Sequence, residues 1–270
     1  RLDFNMADLI DIRLRDTQVL NLIQDMIQLS KRIEIKDVKD EVFLPLLENL
    51  RTDDRTAFTP LHVASLMLKV ANVDEQKSIF DPAAGTGSFI SAITDKQVPI
   101  DKYSGVERNH YSLLLSQIYL IVVGGDTRKV RRGDYLISHD DSINDKFDLI
   151  LSNPPVYKLS KNFINSYAPR GFSGISSGFS DLIYLQKIYD QLSPNGKAVV
   201  LVRIKTLISS GEWLEVRKRM VEFGAIKAVI SLSSNLLPNT SYQCAMLILQ
   251  KEQPENQREK TIRFVQADRK

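Results

Sequence analysis

The strongest chemical signal in the chain is Ser152-Asn153-Pro154-Pro155, which directly follows the apolar run Phe147 to Leu151. Proline lacks an N–H and has a fixed φ, so two in succession hold the neighbouring carbonyls rigidly and leave them free to accept. The Asn153 side-chain oxygen and the Pro154 carbonyl can then accept both hydrogens of one planar –NH2 group. Such a pair orients the nitrogen and draws its lone pair out of conjugation toward an electrophile, which is catalysis by position and electrostatics. For the tetrapeptide alone, a turn with no chemical role is the alternative.

Three further features accompany it. Asp81-Pro82-Ala83-Ala84-Gly85-Thr86-Gly87-Ser88-Phe89 reads as a strand-to-helix turn in which two glycines allow a ligand to approach the backbone. The loop lacks the lysine of a phosphate-binding loop, and Ile90 stands where a dinucleotide fingerprint has its third glycine. An acid before such a turn suits an ammonium or hydroxyls better than a pyrophosphate. Glu107, about 20 residues beyond the glycines, can accept from a ribose diol. Gly133-Asp134 places another acceptor suited to an exocyclic adenine amine. Together the three describe a pocket for an adenosine with a free ribose and no phosphate.

The elements that must position these residues follow a strand–helix rhythm. Short apolar runs are expected as strands at Ser78 to Phe80, Tyr103 to Val106, Val130 to Arg132, Phe147 to Leu151, Lys197 to Val202, Ile226 to Ser231 and Cys244 to Leu249. Helical periodicity separates most of them, at about Phe89 to Thr94, Asn109 to Val123, Asp181 to Leu192 and Glu212 to Phe223. This predicts an α/β fold with a doubly wound, seven-stranded, mostly parallel sheet covered on both faces. The loop Ser233 to Gln243 shows no helix, so the last two strands are expected to run antiparallel. Ligands of such sheets sit beyond the carboxyl ends of the strands, near the switch point, where all four features fall. Upstream, Thr17 to Leu50 has helical spacing, and Pro60 suits the first position of a helix continued by Leu61, Ala64, Leu68 and Ala71. The expected division is a helical segment over 1–56 and a catalytic domain over 57–270.

Composition narrows the class. The 270 residues carry 36 Lys+Arg against 33 Asp+Glu, a net charge of +3, which argues against a basic nucleic-acid coat or an acidic disordered tail. The most apolar stretch, Tyr111 to Val123, is broken by Ser112, Ser116 and Gln117 and falls short of the roughly 18 apolar residues of a membrane span. One cysteine, Cys244, excludes an intrachain disulfide, and three scattered histidines offer no metal-ligand spacing. With no signal-peptide pattern at the start, a cytoplasmic setting is expected, and a chain opening on Arg1 reads as a piece of a longer protein. His62, His110, His139, Trp213 and Cys244 are expected to be packing or surface residues.

At this point the motifs resemble a known family: class I S-adenosylmethionine-dependent amino-methyltransferases, specifically the N6-adenine DNA methyltransferase (modification) subunits of bacterial and archaeal type I restriction–modification systems. The resemblance spans roughly Ala57 to Lys251 and rests on Phe58-Thr59-Pro60, DPAAGTGSF, GVERN, GDYL, SNPP, GKAVVLV and NTSYQCAMLIL. It implies S-adenosyl-L-methionine as cofactor. Asp81, Gly85 and Gly87 would hold its methionine part, with Ala83, Ser88 and Phe89 completing the loop and Phe58 and Thr59 against it. Glu107 would bind the ribose, and Asp134 with Tyr135 the adenine ring. Asn153, Pro154 and Pro155 would hold the target amine of a base taken out of its duplex. Asp181 and Tyr184 align only loosely and receive no role. The implied partners are DNA, a separate specificity subunit and a restriction subunit, because no base-reading domain follows the catalytic motif.

The chain departs from the family in one respect. An aromatic residue normally follows Asn-Pro-Pro directly, whereas here Val156 does and Tyr157 comes one position later. Base–aromatic stacking contributes about 1–3 kcal/mol, so Tyr157 must take that place for the base to be held as tightly. The readings left open are an active DNA adenine methyltransferase, a catalytically degenerate subunit of a DNA complex, and an Asn-Pro-Pro enzyme acting on RNA or protein glutamine. The Ser-, Gly- and Asn-rich stretch Lys158 to Ser180 is expected to form a lid, with Lys158, Lys161 and Arg170 available for phosphates. The basic stretches Arg128 to Arg132 and Arg217 to Arg219 are further candidates for phosphate contact.

Overall fold

The computed structural model describes residues 59–73, 77–137, 145–160, 162–163, 178–233, 243–251 and 261–267. The helical segment expected over 1–56, Phe58, His139, Lys161 and Arg170 lie outside the described residues.

An eight-stranded sheet organises the fold, in the order β3-β2-β1-β4-β5-β7-β6-β8. Its strands are β1 (Ile79–Asp81), β2 (Tyr103–Glu107), β3 (Val130–Arg132), β4 (Phe147–Ser152), β5 (Leu192–Arg203), β6 (Ile226–Ser231), β7 (Cys244–Gln250) and β8 (Arg263–Gln266). β1 to β5 pair in parallel, and β7 runs antiparallel to both β5 and β6, as expected for the last pair. β8 adds an eighth, parallel strand beside β6, beyond the seven expected.

Helices cover both faces. α1 (Leu61–Ala71), α2 (Ser88–Asp95) and α3 (His110–Val122) pack on one, and α4 (Ser180–Gln191) and α6 (Glu212–Glu222) on the other, while the short α5 (Ile204–Ile208) follows β5. Strand alternation divides the core between them: Ile79, Leu149, Leu151, Val199 and Leu201 face the first layer, and Phe80, Ile150, Ala198, Val200 and Val202 the second. With both faces buried, the central strands read as continuous apolar runs. Among the described residues no helix is long and apolar enough to cross a membrane.

Two helix starts matter for the cleft. Gly87 is the N-cap of α2 at φ 94°, and a Cβ there would meet Ile90 Cδ1 at 3.1 Å and Tyr119 Cδ1 at 3.3 Å, so both backbone sign and space demand glycine. Asn109 caps α3, its Oδ1 accepting from the Tyr111 and Ser112 N–H groups at 2.9 and 3.0 Å. Pro60 stands one place earlier than expected. Its ψ of 142° keeps it outside the helix as N-cap, while its carbonyl accepts from Val63 and Ala64 N–H at 2.9 Å each.

Candidate active site

β1 is flanked by β2 on one side and β4 on the other, so the chain winds outward in both directions from it. A crevice must open above this switch point at the carboxyl ends of the strands. The structure has a cleft of about 450 Å³ there, walled by Ala83, Gly85 and Thr86 from the β1–α2 turn and by Glu107 to Ser112 from the end of β2 and the start of α3. Gly133, Asn153, Pro155 and Tyr184 complete it. The glycine loop, the second-strand acid and the Asn-Pro-Pro turn, far apart in sequence, therefore share one cavity.

Glu107 joins two walls of that cavity. Its Oε2 accepts from the Gly85 N–H at 2.8 Å, and its Oε1 from the Asn109 N–H at 2.6 Å. One carboxylate thus ties the glycine loop to the start of α3, as two short bonds to an acceptor-only group. Asp134 sits at the neighbouring rim. Its Oδ1 accepts from the Leu136 N–H at 3.0 Å and its Oδ2 from Arg108 Nη1 at 3.3 Å.

Asp81 lies below the cleft rather than on its wall. It is fully buried, accepting from the Ala83 N–H at 3.0 Å and from the Tyr103 hydroxyl at 3.4 Å. Burial pushes its carboxyl up to about 8, with the Glu107 charge adding to the rise and the Ala83 and Tyr103 bonds opposing it. Its position supports the loop from beneath, which differs from the direct ligand contact that the resemblance implies. Ser88, Phe89 and Tyr135 are likewise buried, and Gly87 is enclosed by α2 and α3. Tyr135 is held from the second helical layer: Lys187 donates to its carbonyl and lies 4.5 Å from its ring centroid. Burial lowers the Lys187 ammonium to about 8, against the pull of Asp134.

On the acceptor side, Asn153 Nδ2 donates to Thr59 Oγ1 at 3.1 Å. Thr59 is buried, so it fixes the rotation of the Asn153 amide and leaves the amide oxygen as the group to receive an incoming N–H. Pro155 lines the cleft and Pro154 is buried behind it. Val156 points outward, 41% exposed. Tyr157 is partly buried, and the Arg108 guanidinium lies 4.9 Å from its ring centroid, a cation–π distance. Arg108 therefore spans Asp134 and Tyr157.

Several wall residues were not singled out from sequence: Thr86, Arg108, Asn109, Tyr111, Ser112, and His110, which was expected to be structural or at the surface. Tyr184, given no role, is also on the wall, 5.1 Å ring to ring from Tyr135. Most of these follow Glu107 directly, so their signal was adjacency to a strand-end acid. Thr86 Oγ1 and His110 Nδ1 are buried without a hydrogen-bond partner. Buried polar atoms are seldom left unpaired, and both belong to residues that line the cleft. The acceptors at this rim, Glu107 and Asp134, suit a ligand that brings hydroxyls and an amine, as a nucleoside does. Among the described residues no cluster of His, Cys, Asp and Glu could hold a metal ion.

A doubly wound sheet with an antiparallel β7 and a cleft at the β1 switch point is the fold of class I S-adenosylmethionine-dependent methyltransferases, and structural comparison agrees. The sequence matches the N-6 DNA Methylase family over residues 36–270, and the chain belongs to that family. It is similar to the crystal structure of the type I restriction–modification methyltransferase subunit from Streptococcus thermophilus, with TM-score 0.67 and 26% identity, covering 77% of this chain and 46% of that one. The MjaVII methylase subunit of Methanocaldococcus jannaschii is 25% identical over 78% of this chain and 38% of its own length. The EcoEI methylase subunit of Escherichia coli is 24% identical over 88% of this chain and 51% of its own length. The chain thus spans about half or less of these relatives.

Proposed function

We propose that this chain is the methyl-transferring part of a type I restriction–modification methylase subunit, moving a methyl group from S-adenosyl-L-methionine to the N6 amine of adenine in DNA. The observation that carries this reading is that Asn153 and Pro155 open onto the same cavity as Gly85 and Glu107, with the Asn153 amide already oriented by Thr59. When bound, the cofactor supplies an electrophilic methyl group on a sulfonium.

The chain's own residues supply position. The glycine loop, held to α3 through Glu107, lets the cofactor lie against backbone, and Glu107 and Asp134 are suited to the ribose and adenine. Asn153 Oδ1 and the Pro154 carbonyl would accept the two hydrogens of the target amine and align its lone pair with the methyl group; forming the N–CH3 bond would break the sulfonium S–CH3 bond to leave S-adenosylhomocysteine, and one amine hydrogen would depart to solvent as a proton. The adenine leaves its duplex to reach them, at a cost of a few kcal/mol, and Tyr157 offers the aromatic face that Val156 lacks.

In this reading the catalytic unit spans residues 57–270. DNA sequence choice comes from a separate specificity subunit, with a restriction subunit as a further partner, and the complex works in the cytoplasm of a bacterium or archaeon. The test is mass spectrometry of N6-methyladenine in DNA from a methylation-deficient host that expresses the full protein with its companion subunits. Methyladenine that disappears in Asn153→Ala supports the reading. Its absence with the wild-type protein, despite measurable cofactor binding, refutes it in favour of a non-DNA substrate or a non-catalytic subunit.

A further inference from the structure

The main chain beyond the Asn-Pro-Pro turn is fastened by one buried side chain. Neither Pro154 nor Pro155 has an N–H, so Val156 and Tyr157 supply the first backbone donors after Asn153. The Tyr157 N–H donates to Ser180 Oγ at 2.9 Å, and the same hydroxyl donates to the Pro155 carbonyl at 2.8 Å. The Ser180 N–H returns a bond to the Tyr157 carbonyl at 3.0 Å. Lys158 and Phe179 then form an antiparallel bridge, and the Leu159 N–H reaches the Gly178 carbonyl at 2.9 Å.

Ser180 opens α4, yet its hydroxyl does not serve the helix: Phe179 is the N-cap, and the helix has no side-chain cap bond. The hydroxyl is turned wholly to the acceptor loop, at 0% exposure. Its own footing is rigid. The next residue, Asp181, accepts from Arg203 Nη2 at 3.0 Å and from Thr206 Oγ1 at 2.8 Å, which ties the start of α4 to the end of β5 and to α5. On the other side of the loop, Arg108 meets the Tyr157 ring at 4.9 Å.

We propose that Ser180 is a positioning residue for the acceptor side of the cleft: one hydroxyl holds the main chain on both sides of Val156, and so fixes the course of the chain that leaves Asn153 and Pro155 and carries Tyr157, one position later than the family pattern. Serine suits the task because a hydroxyl donates and accepts at once. Alanine does neither and would leave a partly buried carbonyl and a partly buried N–H without this partner. This inference rests on the methyltransferase reading above.

The test uses the full protein with its companion subunits, as wild type, Ser180→Ala and Ser180→Cys, the last keeping similar volume and a weak donor. Three quantities are read: affinity for S-adenosylhomocysteine by calorimetry, single-turnover methylation of DNA, and hydrogen exchange of the Tyr157 amide. Ser180→Ala is expected to bind S-adenosylhomocysteine within about twofold of wild type, because Ser180 does not touch the cofactor side. Its methylation rate is expected to fall about 10- to 100-fold, the range that a misplaced acceptor loop produces, and its Tyr157 amide to exchange about tenfold faster or more, as protection by the hydroxyl is lost. Ser180→Cys falls between. Unchanged Tyr157 exchange, an unchanged methylation rate, or equal losses of cofactor affinity and rate would each overturn the proposal. A wild-type protein that binds S-adenosylhomocysteine but methylates no DNA refutes the proposed substrate instead. In that event faster Tyr157 exchange in Ser180→Ala still supports the positioning role, and unchanged exchange overturns it.

Discussion

Replacing Glu107 by glutamine tests the bridging role of this residue. The carboxylate accepts two backbone N–H groups, from Gly85 at 2.8 Å and Asn109 at 2.6 Å. Glutamine offers one oxygen and one NH2, so whichever way the amide turns, one backbone donor faces another donor. The shorter bond to Asn109 is the one expected to survive, leaving the Gly85 N–H opposed. A hydrogen bond to a charged group contributes about 1.5–3 kcal/mol, so the loop loses roughly 2 kcal/mol of its attachment to α3. Because Gly85 and Asn109 both line the cleft, a ligand must restore their spacing as it binds, and the loss appears in its affinity. At about 1.4 kcal/mol per tenfold, the dissociation constant for S-adenosylhomocysteine rises roughly 30-fold. Glu107→Ala, which loses both bonds, weakens binding by roughly another 30-fold on the same scale. Isothermal titration calorimetry on wild type and both variants checks this, with thermal unfolding to verify that each folds. A Glu107→Gln protein that binds S-adenosylhomocysteine within about twofold of wild type refutes the bridging argument.

Two further substitutions probe the floor and the acceptor side of the cleft. Thr59→Val keeps shape but removes the acceptor that orients the Asn153 amide, so the methylation rate should drop about tenfold, near the lower end for lost positioning, while S-adenosylhomocysteine affinity stays within about twofold. An equal loss in both would assign Thr59 to the cofactor instead. Asp81, raised by folding from 3.8 to about 8, holds a proton that the unfolded chain releases from about pH 4 upward. Stability from this group is therefore complete below pH ~4, declines as pH climbs toward ~8, and levels off above it. Asp81→Asn, neutral throughout, should remove that decline, which urea unfolding between pH 5 and 8 would reveal as a smaller difference in midpoint across the range. Parallel wild-type and variant profiles would mean that Asp81 is charged in the folded protein.

What the sequence made legible, and what it did not, follows from the range of the interactions involved. β4 and β5 were readable because parallel strands buried on both faces show as unbroken apolar runs, and α2 and α3 because a glycine and an asparagine stop the strand and start the helix within a few residues. β8 lacks such a signal: all four of its residues are exposed, and it joins the sheet through backbone pairing with β6 alone among the described strands. The acids at the strand ends were readable as a set, yet their division of labour was not. Asp81 ends β1 fully buried, its carboxylate turned to the Ala83 N–H and the Tyr103 hydroxyl, whereas Glu107 ends β2 next to the first turn of α3 and accepts from both Gly85 and Asn109. The contacts that set the acceptor side are longer still in range. Thr59 lies 94 residues from Asn153, and Ser180 lies 23 from Tyr157. Thr59 and Asn153 each stood in a motif, but nothing in the sequence marked that they pair, nor that Ser180 pairs with Tyr157, because a hydroxyl meeting an amide across a fold constrains no neighbouring residue. The motif therefore told which atoms meet the target amine, and only the fold told which side chains hold those atoms still.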